Sequence, residues 1–291
     1  MTHYKRLAKS SKTFRRLTGL TVEKFEELLS QLETHWFQQN AKRLLGRKRR
    51  RSPRSGNQFS LCLGDRLLML LMYYRTYVTH SFLEFLFHLD ESNVGRNIRL
   101  LEPILQLIFK IPEKKIVMSE DEIQELFFDG TEQRIHRPKK RQRRSYSGKK
   151  KHHTIKHQVV IAKVKKPKGR GRKKRKLRIK AVSKSFHGTV HDKKIYDQAK
   201  ANAPPGVPEY GDSGYRGVDK MILPKRKAKG KPLEKHKKRF NRRHSSKRVC
   251  VEHAIGHMKI YKILHHRFRN DLNRHTLIFK NIAGLHNLMF A

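Results

Sequence analysis

The placement of its acidic residues is the feature of this sequence that most restricts the folds and functions open to it. Between Gln133 and His191 the chain carries 24 Lys or Arg residues and no Asp or Glu. Such a segment binds polyanions, because phosphates exchange their condensed counterions for Lys and Arg. Three carboxylates, Asp129, Asp212 and Glu252, nevertheless stand almost alone in short motifs around it. Acids that repel a polyanion have a function there if they bind a divalent metal.

The whole chain is strongly basic. Its 291 residues include 70 Lys or Arg and 24 Asp or Glu, which gives a formal net charge of +46. A charge of this size is typical of nucleic-acid binding and foreign to most metabolic enzymes. Two cysteines, Cys62 and Cys250, are too few for a disulfide framework or a four-cysteine zinc site. The sequence shows neither a signal peptide nor an apolar run that could span a membrane, so we expect a cytoplasmic protein.

Charge and helix signals predict two domains. Of the 24 acidic residues, 16 lie at or before Glu132. Pro112 interrupts a helical pattern, and Ser119 is a candidate N-cap at the start of the next segment. We therefore expect an all-α domain over residues 1–115 and a mixed α/β domain over residues 116–291.

The first domain has the pattern of a helix-turn-helix. Apolar residues at helical spacing follow a candidate N-cap at Thr21, and a basic linker is predicted over residues 42–58. Three further helical stretches cover residues 63–76, 79–90 and 90–109, with short polar breaks between them. Ser92, Asn93, Arg96 and Asn97 are expected on the exposed start of the last helix, where they would contact DNA. A plain helical packing domain is the alternative, and the basic partner domain favours DNA recognition.

The second domain changes to the period of β-strands. Strands are predicted over residues 125–132, 153–164 and 176–188, a helix over 192–203, a strand and loop over 208–217, a short strand over 221–224, and helices over 245–264 and 272–290. The charged segment 165–176 is interpreted as a long hairpin connection. This order of elements predicts a mixed sheet flanked by helices.

The three isolated acids occupy positions that suit metal binding. Asp129 follows a buried apolar run and is predicted at the end of a strand, where Gly130 turns the chain. Asp212 lies in a Gly-rich segment after another strand, although GDSG is also a common turn sequence. Glu252 is predicted on a helix, where a surface pair with Arg248 is the alternative interpretation.

Together, two aspartates and one glutamate supply the oxygen ligands that Mg²⁺ or Mn²⁺ prefers. Two such ions, roughly 4 Å apart, catalyse in-line displacement at phosphate. Two other acids have secondary interpretations. Glu132 is a candidate for an acid that contacts the metal ligands without binding the metal itself. Asp192 lies at a predicted helix start and is interpreted as an N-cap.

Four blocks of the chain resemble the DDE transposases of bacterial insertion sequences related to the PIF/Harbinger group. These blocks read FFDGTEQRIHRP, YSGKKKHHTIKHQVVI, GDSGYRG and RVCVEHAIGHMKIYKILHHRFRN. The resemblance implies an RNase H-like catalytic domain in which Asp129, Asp212 and Glu252 form the catalytic, metal-binding triad. It also implies a bacterial protein that acts at the nucleoid.

The same resemblance assigns DNA contacts. Arg248, Glu252 and Lys259 match the spacing of a Tyr-Arg-Glu-Lys signature in related enzymes, but Ser245 stands in place of the tyrosine. Arg248 and Lys259 are therefore expected to contact DNA phosphates near the cut. The basic block adds Lys149, Lys150 and Lys151 as expected DNA contacts.

The predicted function is metal-dependent cleavage of double-stranded DNA at element ends, with subsequent transfer of the 3′-hydroxyl into target DNA. Terminal inverted repeats and target DNA are the expected partners, and pairing of two ends implies a homodimer. Two alternatives stay open: a domesticated DNA-binding protein without catalysis, and a nuclease that cleaves without joining.

Overall fold

The computed structural model describes residues 2–45, 59–114, 116, 123–164, 177–199, 201 and 203–290. The predicted hairpin connection, the candidate N-cap Ser119 and most of the predicted basic linker lie outside these ranges. The chain divides into two compact units, Met1–Lys110 with Ile260–His265, and Ile111–Lys259 with His266–Ala291.

The first unit is entirely helical within its described residues. Its helices are α1 (His3–Ala8), α2 (Ser11–Thr18), α3 (Val22–Leu45), α4 (Leu63–Thr76), α5 (His80–Phe87), α6 (Glu91–Phe109) and the short α9 (Lys262–His265). The three helices predicted for the helix-turn-helix are thus confirmed as α4, α5 and α6. None of the described helices is both long and apolar enough to cross a membrane.

Local capping explains where these helices begin. The Thr21 hydroxyl accepts from the Lys24 amide at the start of α3 (3.4 Å). Thr79 caps α5 through the Phe82 amide (3.2 Å), and Asp90 caps α6 through the Ser92 amide (2.9 Å). Each cap satisfies a backbone donor that the helix itself leaves unpaired. The helix boundaries therefore follow from residues that the sequence already displays.

The start of α6 is only partly exposed, which corrects one prediction. Arg96 is exposed and donates a hydrogen bond to the Asn93 side chain (3.1 Å). Asn97 is buried instead, where it accepts from Arg66 Nε and donates to the Asn93 backbone carbonyl (2.8 Å). The prediction that Asn97 faces DNA is wrong, because its side-chain amide is buried and accepts a hydrogen bond from Arg66 on α4.

The second unit is built on one mixed sheet. Its described strands are β1 (Ile123–Arg134), β2 (Tyr146–Ser147), β3 (His152–Val164), β4 (Leu177–Val182), β5 (Phe186–His187), β6 (Glu209–Tyr210) and β7 (Met221–Ile222). The sheet order is β2-β3-β1-β6-β7, with β4 and β5 also pairing with β3. Pairs that include β3 are antiparallel, whereas β1–β6 and β6–β7 are parallel. This confirms the mixed sheet predicted from the strand and helix pattern.

Helices accompany this sheet. They are α7 (Asp192–Ala199), α8 (Lys235–Lys259) and α10 (His275–Met289). The side chain of Asn287 on α10 bonds both backbone groups of Ile179 on β4, at 2.8 Å each. The long helix predicted over residues 245–264 begins earlier than expected and ends at Lys259, before the separate helix α9.

Strand β1 corrects the predicted position of Asp129. The strand predicted over residues 125–132 is confirmed, but it runs on to Arg134, so Asp129 lies inside β1 and not at the predicted strand end. Its neighbour β3 is 13 residues long and pairs with β1 through and beyond Asp129, whose partner is Val159. Gly130 accordingly stays in the strand, opposite Gln158, and makes no turn. The long antiparallel partner carries the strand past the point at which its apolar run stops.

A chain of buried side chains ties β1 and β3 to α10. The ring of His157 bonds the Ser183 carbonyl through Nδ1 (2.8 Å) and His275 Nδ1 through Nε2 (2.7 Å). His275 in turn lies 2.8 Å from Gln133 Oε1. Burial lowers the pKa of His157 to about 4 and the pKa of His275 well below its usual value. Both rings are therefore neutral in the folded protein at neutral pH.

This burial predicts a loss of stability in mild acid. Between pH 6.5 and about 4, His157 is protonated in the unfolded chain but neutral in the folded chain. Unfolding therefore becomes more favourable as the pH falls. The contribution of His157 is about 3 kcal/mol across that window. We expect the His157→Gln variant to lose less stability than the wild type between pH 7 and pH 4, measured by urea unfolding. His253→Gln, at an exposed position of α8, is the control, and equal pH slopes in all three proteins would contradict the assignment.

Candidate active site

Asp129 and Asp212 are brought together by the parallel register of β1 and β6. Leu126 pairs with Glu209 and Phe127 with Tyr210, so Asp129 and Asp212 each lie two residues beyond the last pair. Each carboxylate also accepts from a nearby glycine amide, Asp129 from Gly130 (3.0 Å) and Asp212 from Gly214 (2.8 Å). Two aspartates distant in sequence thus meet at one place in the sheet.

Helix α8 adds a cation to this pair. Arg248 Nη2 lies 3.3 Å from Asp129 Oδ1, and both side chains are mostly buried, with exposed fractions of 15% and 18%. The sequence predicts a DNA phosphate as the partner of Arg248. In this structure its guanidinium instead balances the first of the predicted catalytic acids.

The pKa of Asp129 shows that its ionised form is disfavoured in this site. Burial raises the pKa of Asp129 to about 6; Arg248 opposes this shift, whereas the charges of Asp212 and Asp192 add to it. Ionised carboxylates held this close in a partly dry site disfavour one another. A divalent cation between Asp129 and Asp212 would relieve that repulsion, and their oxygens are the ligands that Mg²⁺ and Mn²⁺ prefer.

Glu252, the third predicted ligand, is not gathered into the site. It lies on α8 one turn after Arg248, and its side chain is exposed. In the described part of the chain, no three His, Cys, Asp or Glu side chains converge as a metal site. The two aspartates alone supply oxygen ligands here, and Glu252 would complete a set of three only if α8 or its side chain moved inward.

The predicted basic contacts lie near the same acids. The pKa of Lys259, at the end of α8, is lowered by burial and by the charge of Lys150, and it is raised in part by Asp129 and Glu132. Lys150 belongs to the block Lys149, Lys150 and Lys151, whose side chains are exposed after β2. Cations from two separate segments thus border the carboxylates.

Asp192 is a participant that the sequence did not identify as such. It is interpreted from sequence as an N-cap, but in the structure it lies within the first turn of α7, and its carboxylate faces the site. Lys156 Nζ pairs with it at 3.2 Å and with Glu132 at 3.4 Å. Only the glycines that follow the two aspartates signal its presence in the sequence, because they leave space for another side chain.

Comparisons with known proteins identify the family. The family described as DDE superfamily endonuclease matches residues 128–287, and the helix-turn-helix of DDE superfamily endonuclease matches residues 59–111. A protein of Microchaete diplosiphon, named as a transposase for insertion sequence element IS702, is 29% identical over 97% of this chain and 96% of its own length. A protein of Streptomyces albus G, named as a transposase for insertion sequence element IS112, is 31% identical over 81% and 83%. No solved structure matches the chain significantly.

These matches confirm that the chain is a DDE superfamily endonuclease with the predicted fold class, and the relation to the PIF/Harbinger group stays a prediction. The mixed sheet with its helices agrees with an RNase H-like catalytic domain, and the preceding helices agree with a helix-turn-helix.

The raised pKa of Asp129 predicts a trade between stability and metal binding. A carboxylate whose pKa is raised in the folded protein destabilises the fold when it ionises. This destabilisation grows as the pH rises from 3.8 to about 6 and is fully present at higher pH. We expect Asp129→Asn to be more stable than the wild type by about 1–2 kcal/mol at pH 7, without metal, and no more stable near pH 4. The variant should also lose the thermal stabilisation that Mg²⁺ gives the wild type.

The control for this experiment is Asp219→Asn, at an exposed position in the same unit. It should leave both the stability at pH 7 and the Mg²⁺ effect unchanged. A variant Asp129→Asn that is no more stable than the wild type at pH 7 would show that this carboxylate is not strained by its neighbours.

Proposed function

Because the chain belongs to the DDE superfamily of endonucleases, we propose that it is a transposase that cleaves DNA at the ends of an insertion sequence and joins them to target DNA. Water would break one phosphodiester at each end and leave a 3′-hydroxyl. That hydroxyl would then attack a phosphodiester of the target directly, without a covalent protein intermediate. The observation that carries this proposal is the placement of Asp129 and Asp212 at the same point beyond the β1–β6 pairing, where burial and the charge of Asp212 raise the pKa of Asp129 and a cation would stabilise both carboxylates.

Endonucleases of this superfamily use divalent metals, and we assign Mg²⁺, with Mn²⁺ as a substitute and two ions per site. Asp129 and Asp212 would hold the metal, and Glu252 would join them from α8. When bound, the ions supply Lewis acidity that stabilises the charge developing on the phosphate oxygens.

The cations around the site would hold the substrate. While Arg248 pairs with Asp129, it lowers the repulsion among the acids. Metal binding at Asp129 would release the guanidinium, whose planar fork suits bidentate binding of a phosphate. Lys259 and the block from Lys149 to Lys151 would bind neighbouring phosphates, and the acid-free segment would extend this basic track.

The two predicted domains would divide the work. Residues 1–115 would recognise the terminal inverted repeats, with Asn93 and Arg96 at the start of α6 near the bases, and residues 116–291 would carry out the chemistry. Two element ends must be joined together, so we propose a homodimer in the DNA complex. Its place of action would be the bacterial cytoplasm, at the nucleoid.

The central test is cleavage of a labelled duplex that carries candidate element ends, with purified protein and Mg²⁺. Asp212→Ala should abolish both cleavage and joining, since it removes a ligand of the metal, while its binding to DNA stays within about twofold. Asp219→Ala, exposed seven residues later, should behave as the wild type. Cleavage that persists in Asp212→Ala would overturn the assignment of the metal ligands.

The same assay separates the alternatives. A wild-type protein that cleaves but never joins ends to target DNA would be a nuclease. Binding without cleavage in either Mg²⁺ or Mn²⁺ would indicate a DNA-binding protein that has lost catalysis.

End recognition is tested on α6. Replacement of the exposed Arg96 by Ala should weaken binding to terminal repeats by about 1–3 kcal/mol and binding to unrelated duplexes much less, because a base contact carries the specificity. Arg99→Ala, exposed on the same helix, is the matched control. Equal losses on both kinds of duplex would place Arg96 on the phosphate backbone instead.

A further inference from the structure

One carboxylate occupies the space beside both catalytic aspartates. A Cβ atom on Gly130, next to Asp129, would lie 2.6 Å from Asp192 Oδ1, and a Cβ atom on Gly214 would overlap Asp192 Oδ2. Neither glycine has a positive φ angle, so backbone conformation does not require glycine at these positions. They are glycines because the Asp192 carboxylate lies between them.

A buried lysine fixes this carboxylate in place. Lys156 Nζ lies 3.2 Å from Asp192 Oδ1 and donates to the Val190 carbonyl, also at 3.2 Å. The same ammonium lies 3.4 Å from Glu132, which accepts from the Thr154 hydroxyl (3.0 Å). Lys156 is only 8% exposed. The Asp192 carboxylate is therefore held in place by an ion pair with a buried lysine of β3.

A buried tyrosine lies near the same acids. Tyr215, three residues after Asp212, is fully buried in the apolar core of the unit, and its hydroxyl makes no hydrogen bond to any described residue. Burial raises its pKa, and the charges of Asp192, Asp129 and Asp212 raise it further. All three carboxylates are therefore close enough to act on this one hydroxyl.

We propose that Asp192 is a positioning residue of the active site, which holds the strand of Asp129 and the loop of Asp212 at the separation that a metal ion needs. This inference rests on the proposed function. Asp192 acts through its shape, because its carboxylate fills the space between Gly130 and Gly214. It also acts through its ion pair with Lys156 of β3, which fixes the position of the carboxylate. The neighbouring acid on α7, Asp197, is exposed and pairs only with Lys193 among the described residues, so it serves as a matched control.

The test is a titration of the full chain with Mn²⁺ alone, monitored by electron paramagnetic resonance. Asp192→Ala should weaken Mn²⁺ binding by about tenfold or more, as expected when a group that orients metal ligands is lost. Asp192→Asn, which keeps the shape and an acceptor for Lys156, should restore binding to within about threefold of the wild type. Asp197→Ala should bind as the wild type, and Asp212→Ala should not bind.

Two results would overturn the proposal. If Asp192→Ala binds Mn²⁺ as the wild type does, Asp192 does not position the aspartates. If Asp192→Asn is as weak as Asp192→Ala, the negative charge is what matters, and Asp192 is itself a ligand. A wild-type chain that binds Mn²⁺ but leaves DNA intact would refute the proposed function and leave the role of Asp192 standing.

A double-mutant comparison tests the packing without metal. Gly214→Ala alone should unfold at a lower temperature in EDTA, since the new methyl group meets the Asp192 carboxylate. In the Asp192→Ala background the same change should lower the unfolding temperature much less, because only Asp212 Oδ1, 3.0 Å from the new Cβ atom, still opposes it. Equal losses in both backgrounds would show that Asp192 does not occupy the space beside Gly214.

Discussion

The burial of Asp129 beside Asp212 is the constraint on which the rest of the second unit depends. Burial, with the added charges of Asp212 and Asp192, raises the pKa of Asp129 to about 6, so its ionised form is unfavourable there. A fold selected for stability alone would separate or neutralise Asp129 and Asp212. Here they are kept together by the parallel register of β1 and β6, and Arg248 offsets only part of the cost. Under the proposed function, a divalent cation would offset the rest.

Much of the surrounding structure can be understood as support for this pair. The long antiparallel pairing of β1 with β3 holds Asp129 rigidly in the middle of a strand, where a loop would let it swing away. Helix α7 brings Asp192 against the two glycines, and β3 supplies Lys156 from below. Rigid elements with buried supporting contacts position ligands more accurately than loops do. Glu252, by contrast, lies exposed on α8, so as the proposed third ligand it would have to move toward the aspartates.

The basic residues of the second unit serve two purposes, although they look alike in sequence. Lys156 is buried and pairs with Asp192 and Glu132, and Lys163 pairs with the buried Glu125 at 2.6 Å. These cations compensate the few acids inside the unit. The block of Lys149, Lys150 and Lys151 is exposed and suits the phosphates of DNA. The acid-free segment thus supplies internal counterions, and under the proposed function its exposed lysines would also bind DNA.

The sequence by itself determined helices α3 to α6 of the first unit, the mixed sheet of the second and the two isolated aspartates, because caps, apolar periodicity and isolated acids are local signals. It did not predict α1 and α2, and it could not determine that Asp129 lies inside β1 and not at its end, since the extent of a strand depends on its partner β3. The burial of Asn97, the pairing of Arg248 with Asp129 and the place of Asp192 are likewise decided only in three dimensions. Each depends on residues far apart in the chain, whose charges and volumes meet only after the sheet and helices have packed.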